Sequence, residues 1–128
     1  MVLVDSSVWI AYLGPHVSPI DQKLENLIRP ANQVLITGIV FQEILQGIRS
    51  LRSYQLTKKL LGRLPLLIPT QETHIKASEI FRALSEKGKK PTTIDTFIAA
   101  LAIENRTPLF TLDTDFRIIE TQTHLKLF

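Results

Sequence analysis

The sequence predicts an α/β fold on a central, mainly parallel sheet of four to five strands. Three observations carry that expectation. Short runs of strand formers without alternation, Val2-Leu3-Val4 and Val34-Leu35-Ile36-Thr37, suit strands covered on both faces. Segments of helical periodicity with recognisable starts lie between and after them. The connections are long enough to hold a helix, so successive strands form β-α-β units and run parallel.

Taken in order, Val2–Val4 ends on Asp5, Ser6 and Ser7, and Val8, Trp9, Ile10, Tyr12 and Leu13 suit a helix that begins at once. Asp5 is either the cap of that helix or a carboxylate at the carboxyl end of a strand, where ligands of open α/β sheets sit. Ser18-Pro19-Ile20-Asp21 has the grammar of a second helix start, with Leu24, Leu27 and Ile28 as its apolar stripe and Pro30 and Asn32 as its end. After the second strand, Gly38 precedes a helix in which Ile39, Val40, Ile44, Gly47, Ile48 and Leu51 recur at helical spacing. Glu43 falls on its apolar side, where it is either a solvated edge residue or a carboxylate held for a purpose. A basic helix is expected from Ser53 to Leu64. Leu66-Leu67-Ile68 reads as a third, buried strand, and Thr70 opens a helix through Ile75, Ile80, Phe81 and Leu84. Lys87-Gly88-Lys89-Lys90-Pro91 is a loop. Thr92-Thr93 starts the next helix, whose core face is Ile94, Phe97, Ile98, Leu101 and Ala102 and whose first turn carries Asp95. Leu109 to Asp113 reads as a fourth strand ending on aspartate, followed by Asp115 and Phe116. Leu125 to Phe128 alternates like an edge strand.

The 128 residues, 45% of them hydrophobic, are enough for one domain spanning 1–128. The absence of cysteine removes disulfides, thiolate nucleophiles and sulfur-rich zinc sites. The longest apolar run, Phe97 to Ile103, is too short to span a bilayer, and no basic region precedes the apolar residues at the amino end. The expectation is therefore a cytoplasmic protein with no membrane contact. The net charge is only +3, but gathering four acids in one pocket leaves a strongly positive remainder that would attract a polyanion.

Asp5 and Asp113 end strands, and Glu43 and Asp95 lie early in helices that enter at the same end of the sheet. Carboxylates so crowded cannot all stay ionised without a counter-charge, and the hard cation that takes several carboxylate oxygens is Mg²⁺ or Mn²⁺. His16, His74 and His124 have no ligand-like spacing. No Gly-rich phosphate loop, Gly-x-Ser-x-Gly elbow or His-Glu-x-x-His helix is present. A phosphoacceptor receiver domain would need an aspartate after a central strand, and Leu66 to Thr70 holds none.

Over essentially its whole length the chain resembles the PIN-domain ribonucleases, and in its compact size the VapC toxins of toxin-antitoxin pairs. The resemblance rests on Val4-Asp5-Ser6-Ser7-Val8-Trp9-Ile10, on Phe41-Gln42-Glu43-Ile44-Leu45-Gln46-Gly47-Ile48-Arg49, on Ile94-Asp95-Thr96-Phe97-Ile98-Ala99-Ala100 and on Thr111-Leu112-Asp113-Thr114-Asp115-Phe116. Thr96-Phe97 stands where aliphatic residues are commoner, and Arg106 occupies a turn often made by glycine. The resemblance implies a three-layer α/β/α sandwich and a metal-dependent endoribonuclease that leaves 5′-phosphate and 3′-hydroxyl ends. Asp5, Glu43, Asp95 and Asp113 would hold one or two Mg²⁺ or Mn²⁺ ions, with Asp115 as a fifth, outer acid. Ser6 and Thr111 would orient a ligand carboxylate or a water, and Arg49, Lys87, Lys89 and Lys90 would track the RNA backbone. A homodimer and a VapB-type antitoxin are the implied partners. The alternative is a PIN fold kept only as a catalytically inactive RNA- or protein-binding module.

Overall fold

The structure, a computed structural model, describes residues 1–30 and 33–128. Four strands, β1 (Val2–Val4), β2 (Val34–Thr37), β3 (Leu66–Leu67) and β4 (Leu109–Phe110), form one sheet in the order β3-β2-β1-β4, with every pairing parallel. The amino-terminal strand is thus central. Val2 pairs with Val34 and Leu3 with Leu35 on one side, and Leu3 with Leu109 and Val4 with Phe110 on the other. All residues of β1, β2 and β4 are buried, as non-alternating runs covered on both faces must be. The cover is two helix groups, α1 (Ser6–Leu13), α2 (Pro19–Ile28), α3 (Gly38–Gln46) and α4 (Leu51–Leu61), then α5 (Gln71–Glu86), α6 (Thr93–Glu104) and α7 (Asp115–Gln122), each packed within itself. Sheet and helices together form the expected three-layer sandwich.

Local chemistry sets the helix boundaries. Ser18 and Asp21 form a reciprocal capping box at the start of α2, with Pro19 at its first position. The Thr92 hydroxyl accepts from the Asp95 amide at the start of α6. At the end of α6, the Arg106 amide donates to the Ile103 carbonyl and the Thr107 amide to the Ala102 carbonyl, the Schellman pattern. That pattern puts Arg106 in the left-handed region at φ 51°, a slot usually filled by glycine.

Several expectations need correction. The third strand is not buried: Leu66 is 49% and Ile68 74% exposed, because β3 is a two-residue edge beside two prolines rather than an interior strand. The fourth strand stops at Phe110, so Asp113 stands on a loop beyond it. The helix through Glu43 ends at Gln46, with Gly47 as its cap, and Ile48 and Leu51 lie outside it. The basic helix runs Leu51–Leu61 instead of Ser53 to Leu64, with the Ser50 hydroxyl accepting from the Ser53 amide. Ile94 is 41% exposed, because the first turn of α6 overhangs a cleft, and Ile75 and Phe81 of α5 are exposed as well. Helix α7 was not expected, because Asp113-x-Asp115 draws the eye as chemistry and hides a helix start. Leu125 to Phe128 does alternate in burial but makes only one bridge, Leu109 to Leu127. The helix end assigned to Asn32 lies outside the described residues.

Leu24 is the one fully buried residue of α2. Its replacement in Leu24→Ala is expected to cost about 2–5 kcal/mol in denaturant unfolding, and Leu27→Ala, at a half-buried position, clearly less.

Candidate active site

At the carboxyl ends of β1 and β4, where the first turns of α1 and α6 and the middle of α3 converge, an open cleft of about 590 Å³ is lined by Asp5, Glu43, Asp95, Asp113 and Asp115. The parallel strands bring these acids to one pole although they span most of the chain.

Asp5 is only 5% exposed. It sits at the N-cap position of α1, yet its side chain makes no cap hydrogen bond. Its Oδ2 instead accepts from Ser7 Oγ at 2.7 Å and from Thr111 Oγ1 at 2.9 Å. The same two hydroxyls accept backbone amides of the opposite loop, Thr111 from Asp113 at 3.0 Å and Ser7 from Leu112 at 3.0 Å. The loop that carries Asp113 is therefore buttoned onto Asp5. Between the cap and the strand-end readings of Asp5, the geometry selects the second.

Glu43 is half-buried and held as well: its Oε2 accepts from Ser6 Oγ at 2.9 Å, and the same hydroxyl lies 3.5 Å from Asp5 Oδ1. Asp95, Asp113 and Asp115 each place a carboxylate oxygen within 4.8 Å of the other two. Asp5 and Glu43 share the cleft but stand outside that closest group. Burial pushes the Asp95 carboxyl up from 3.8 to about 6; a hydrogen bond from Thr92 opposes the rise, and the charges of Asp113, Asp5 and Asp115 add to it. Every charge acting on Asp95 in that shift is another carboxylate. An all-oxygen donor set under mutual repulsion fits a hard divalent ion such as Mg²⁺ or Mn²⁺.

Ser7 is the site residue that sequence reasoning missed. Its signal was present in the two hydroxyls that directly follow Asp5, but only the fold shows that the second one reaches across to residues 111–112. Of the basic residues, Lys89 and Lys90 line a small pocket of about 70 Å³ that shares Asp95 and Asp115 with the cleft. Lys87 donates to Gln122 of α7 instead. Arg49 is exposed between α3 and α4, away from the residues that line the cleft.

Known proteins share the fold. The PIN domain family model matches residues 2–121. A VapC ribonuclease of Mycobacterium bovis is 28% identical over 129 residues, covering 98% of this chain and 96% of that protein. Among solved structures, VapBC2 from Rickettsia felis, bound to a promoter DNA fragment, superimposes with a TM-score of 0.81 at 22% identity, covering 100% of this chain and 98% of that one. VapBC-1 from nontypeable Haemophilus influenzae gives 0.79 at 17% identity, covering 100% and 97%.

The raised Asp95 carboxyl has a consequence for stability. In metal-free protein the folded state holds this proton more tightly than the unfolded chain, so the stability it contributes is present below 3.8 and is lost as pH rises through about 6. With chelator present, Asp95→Asn is expected to melt higher than the parent at about pH 7.5 and together with it at about pH 3.5. A parent that melts level with the variant at both values would remove the strain assigned to this group.

Proposed function

The chain belongs to the PIN-domain family, and from that premise we propose that it is a metal-dependent endoribonuclease, the toxin of a VapBC-type pair, that hydrolyses RNA phosphodiester bonds. The observation that carries the reading is the cleft itself, in which Asp95, Asp113 and Asp115 lie within reach of a single ion and Asp5 and Glu43 complete the acidic wall. A VapC ribonuclease that matches nearly the whole chain supports it.

Asp95, Asp113 and Asp115 would hold Mg²⁺ or Mn²⁺, with Asp5 and Glu43 ligating directly or through water. Bound there, the ion supplies charge neutralisation on the phosphate and makes a water easier to deprotonate. The protein's own part is preorganisation. Ser7 and Thr111 fix the Asp5 carboxylate, Ser6 fixes Glu43, and none of the three adds a charge that would compete with the metal. Lys89 and Lys90 flank the acids and would take phosphates next to the scissile one, with Arg49 and Lys87 contacting RNA farther out. A VapB-type antitoxin and a homodimer are the proposed partners. Exposed Ile10 and Leu13 of α1 and Leu56 and Leu60 of α4 offer apolar surface for them. Among the described residues no helix is long and apolar enough to cross a membrane.

The test is cleavage of total tRNA and a structured messenger by the partner-free protein with Mg²⁺, with Mn²⁺ and with chelator. Cuts are expected only with metal and are expected to fall about 100-fold or more in Asp95→Asn. A folded Asp95→Asn that cuts like the parent would sink the site assignment. A folded parent that never cuts would favour the binding-module alternative. Ser7→Ala, which loosens Asp5 without removing a ligand, is expected to lose about 10–100-fold in rate and to need more metal for half-maximal activity.

A further inference from the structure

The pole of the sheet opposite the acids carries a second pocket, of about 340 Å³, with the reverse chemistry. It is lined by the buried or half-buried Ala102, Ile103, Thr107 and Pro108 and by the exposed Arg106, His124 and Lys126; no carboxylate lines it. The exposed three come from two separate segments, the turn that ends α6 and the residues that follow α7. Backbone hydrogen bonds lock these segments together, the Leu109 amide donating to the Lys126 carbonyl and the Phe128 amide to the Leu109 carbonyl, so the two segments that carry the three side chains share one fixed frame.

Arg106 supplies the independent observation. It is the one non-glycine residue with positive φ among the described residues, in the Schellman slot where glycine fits without strain. The backbone gains nothing from a side chain there. What arginine adds is a cationic side chain among the residues that line the pocket. A cation near a helix carboxyl end complements the dipole, which accounts for one charge, but it does not explain a lysine and an imidazole brought beside it from another segment.

We propose that this pocket is a phosphate-binding site. The planar fork of Arg106 suits two phosphate oxygens, Lys126 adds a point charge, and the His124 imidazole offers an N–H in either charge state. The volume lies within the range of small-molecule pockets, and the mostly apolar floor leaves room for a sugar or base attached to the phosphate. The site lies apart from the acidic cleft and does not rest on RNA cleavage.

The experiment is a nuclear magnetic resonance titration of the isotope-labelled full chain, with chelator and at constant ionic strength, using inorganic phosphate, adenosine monophosphate and a short single-stranded RNA. Saturable shifts are expected on residues 102–108 and 124–126. Affinity is expected to weaken about tenfold or more in Arg106→Gly and in Lys126→Gln. Arg106→Gly frees the left-handed backbone and is expected to hold or raise the melting temperature, so its loss of binding is not loss of fold. Equal affinity for the mononucleotide and the RNA marks a free nucleotide as the natural source, and tighter binding of RNA marks a polynucleotide backbone; either upholds the site. Shifts that do not saturate, shifts confined to the acidic cleft, or affinity unchanged in both variants would overturn it.

Discussion

Mutual repulsion of carboxylates at the end of a parallel sheet is the constraint on which the site depends. Five acids line one cleft, and three of them approach within 4.8 Å. Left alone, such a group relieves itself by taking up a proton or by moving apart. The fold restrains the second and favours the first at Asp95. Hydroxyl donors pin Asp5 and Glu43 in place, and capping pins the start of the helix that carries Asp95, whose carboxyl is raised first by burial and then by the charges of its acidic neighbours. Neutral hydroxyls orient the acids while leaving their charge for a cation, which a lysine or arginine in the same position would have cancelled.

The choice of hydroxyls ties chemistry to architecture. Ser7 and Thr111 each accept an amide from the loop after β4 and donate to Asp5 at the end of β1, so the same two atoms that orient a carboxylate also hold two neighbouring strands' exits in register. Loss of either would disturb the sheet margin and the acid together.

Much of this was legible in the sequence. The strands at Val2, Val34 and Leu109, the Ser18 and Thr92 helix starts and the grouping of Asp5, Glu43, Asp95 and Asp113 could be read from local patterns of burial and capping, whereas Asp115 came from the family resemblance. What was hidden depends on neighbours distant in the chain. Leu66 to Ile68 looks like core by composition, and only its edge position leaves it exposed. Helix α7 was masked by aspartates that serve both as cleft lining and as a helix start. Ser7 resembles any hydroxyl in a first turn until the loop at 111–113 is seen against it. The gathering of Arg106, His124 and Lys126 around one pocket has no signature in sequence, since it depends on the Leu109–Leu127 bridge.

The central place of β1 bears on how the chain matures. Its two partners, β2 and β4, come from residues 34–37 and 109–110, so the first strand to leave the ribosome is flanked on its second side only when most of the chain has followed. Asp5 meets Thr111 across 106 residues of sequence, a closure that is slow to form. Every nascent chain still short of β4 therefore lacks Asp113, Asp115 and one of the two hydroxyls that orient Asp5, so its acidic cleft is incomplete. The order of synthesis sets an interval in which the apolar surface of α1 and α4 is already made while the acidic cleft is not yet complete.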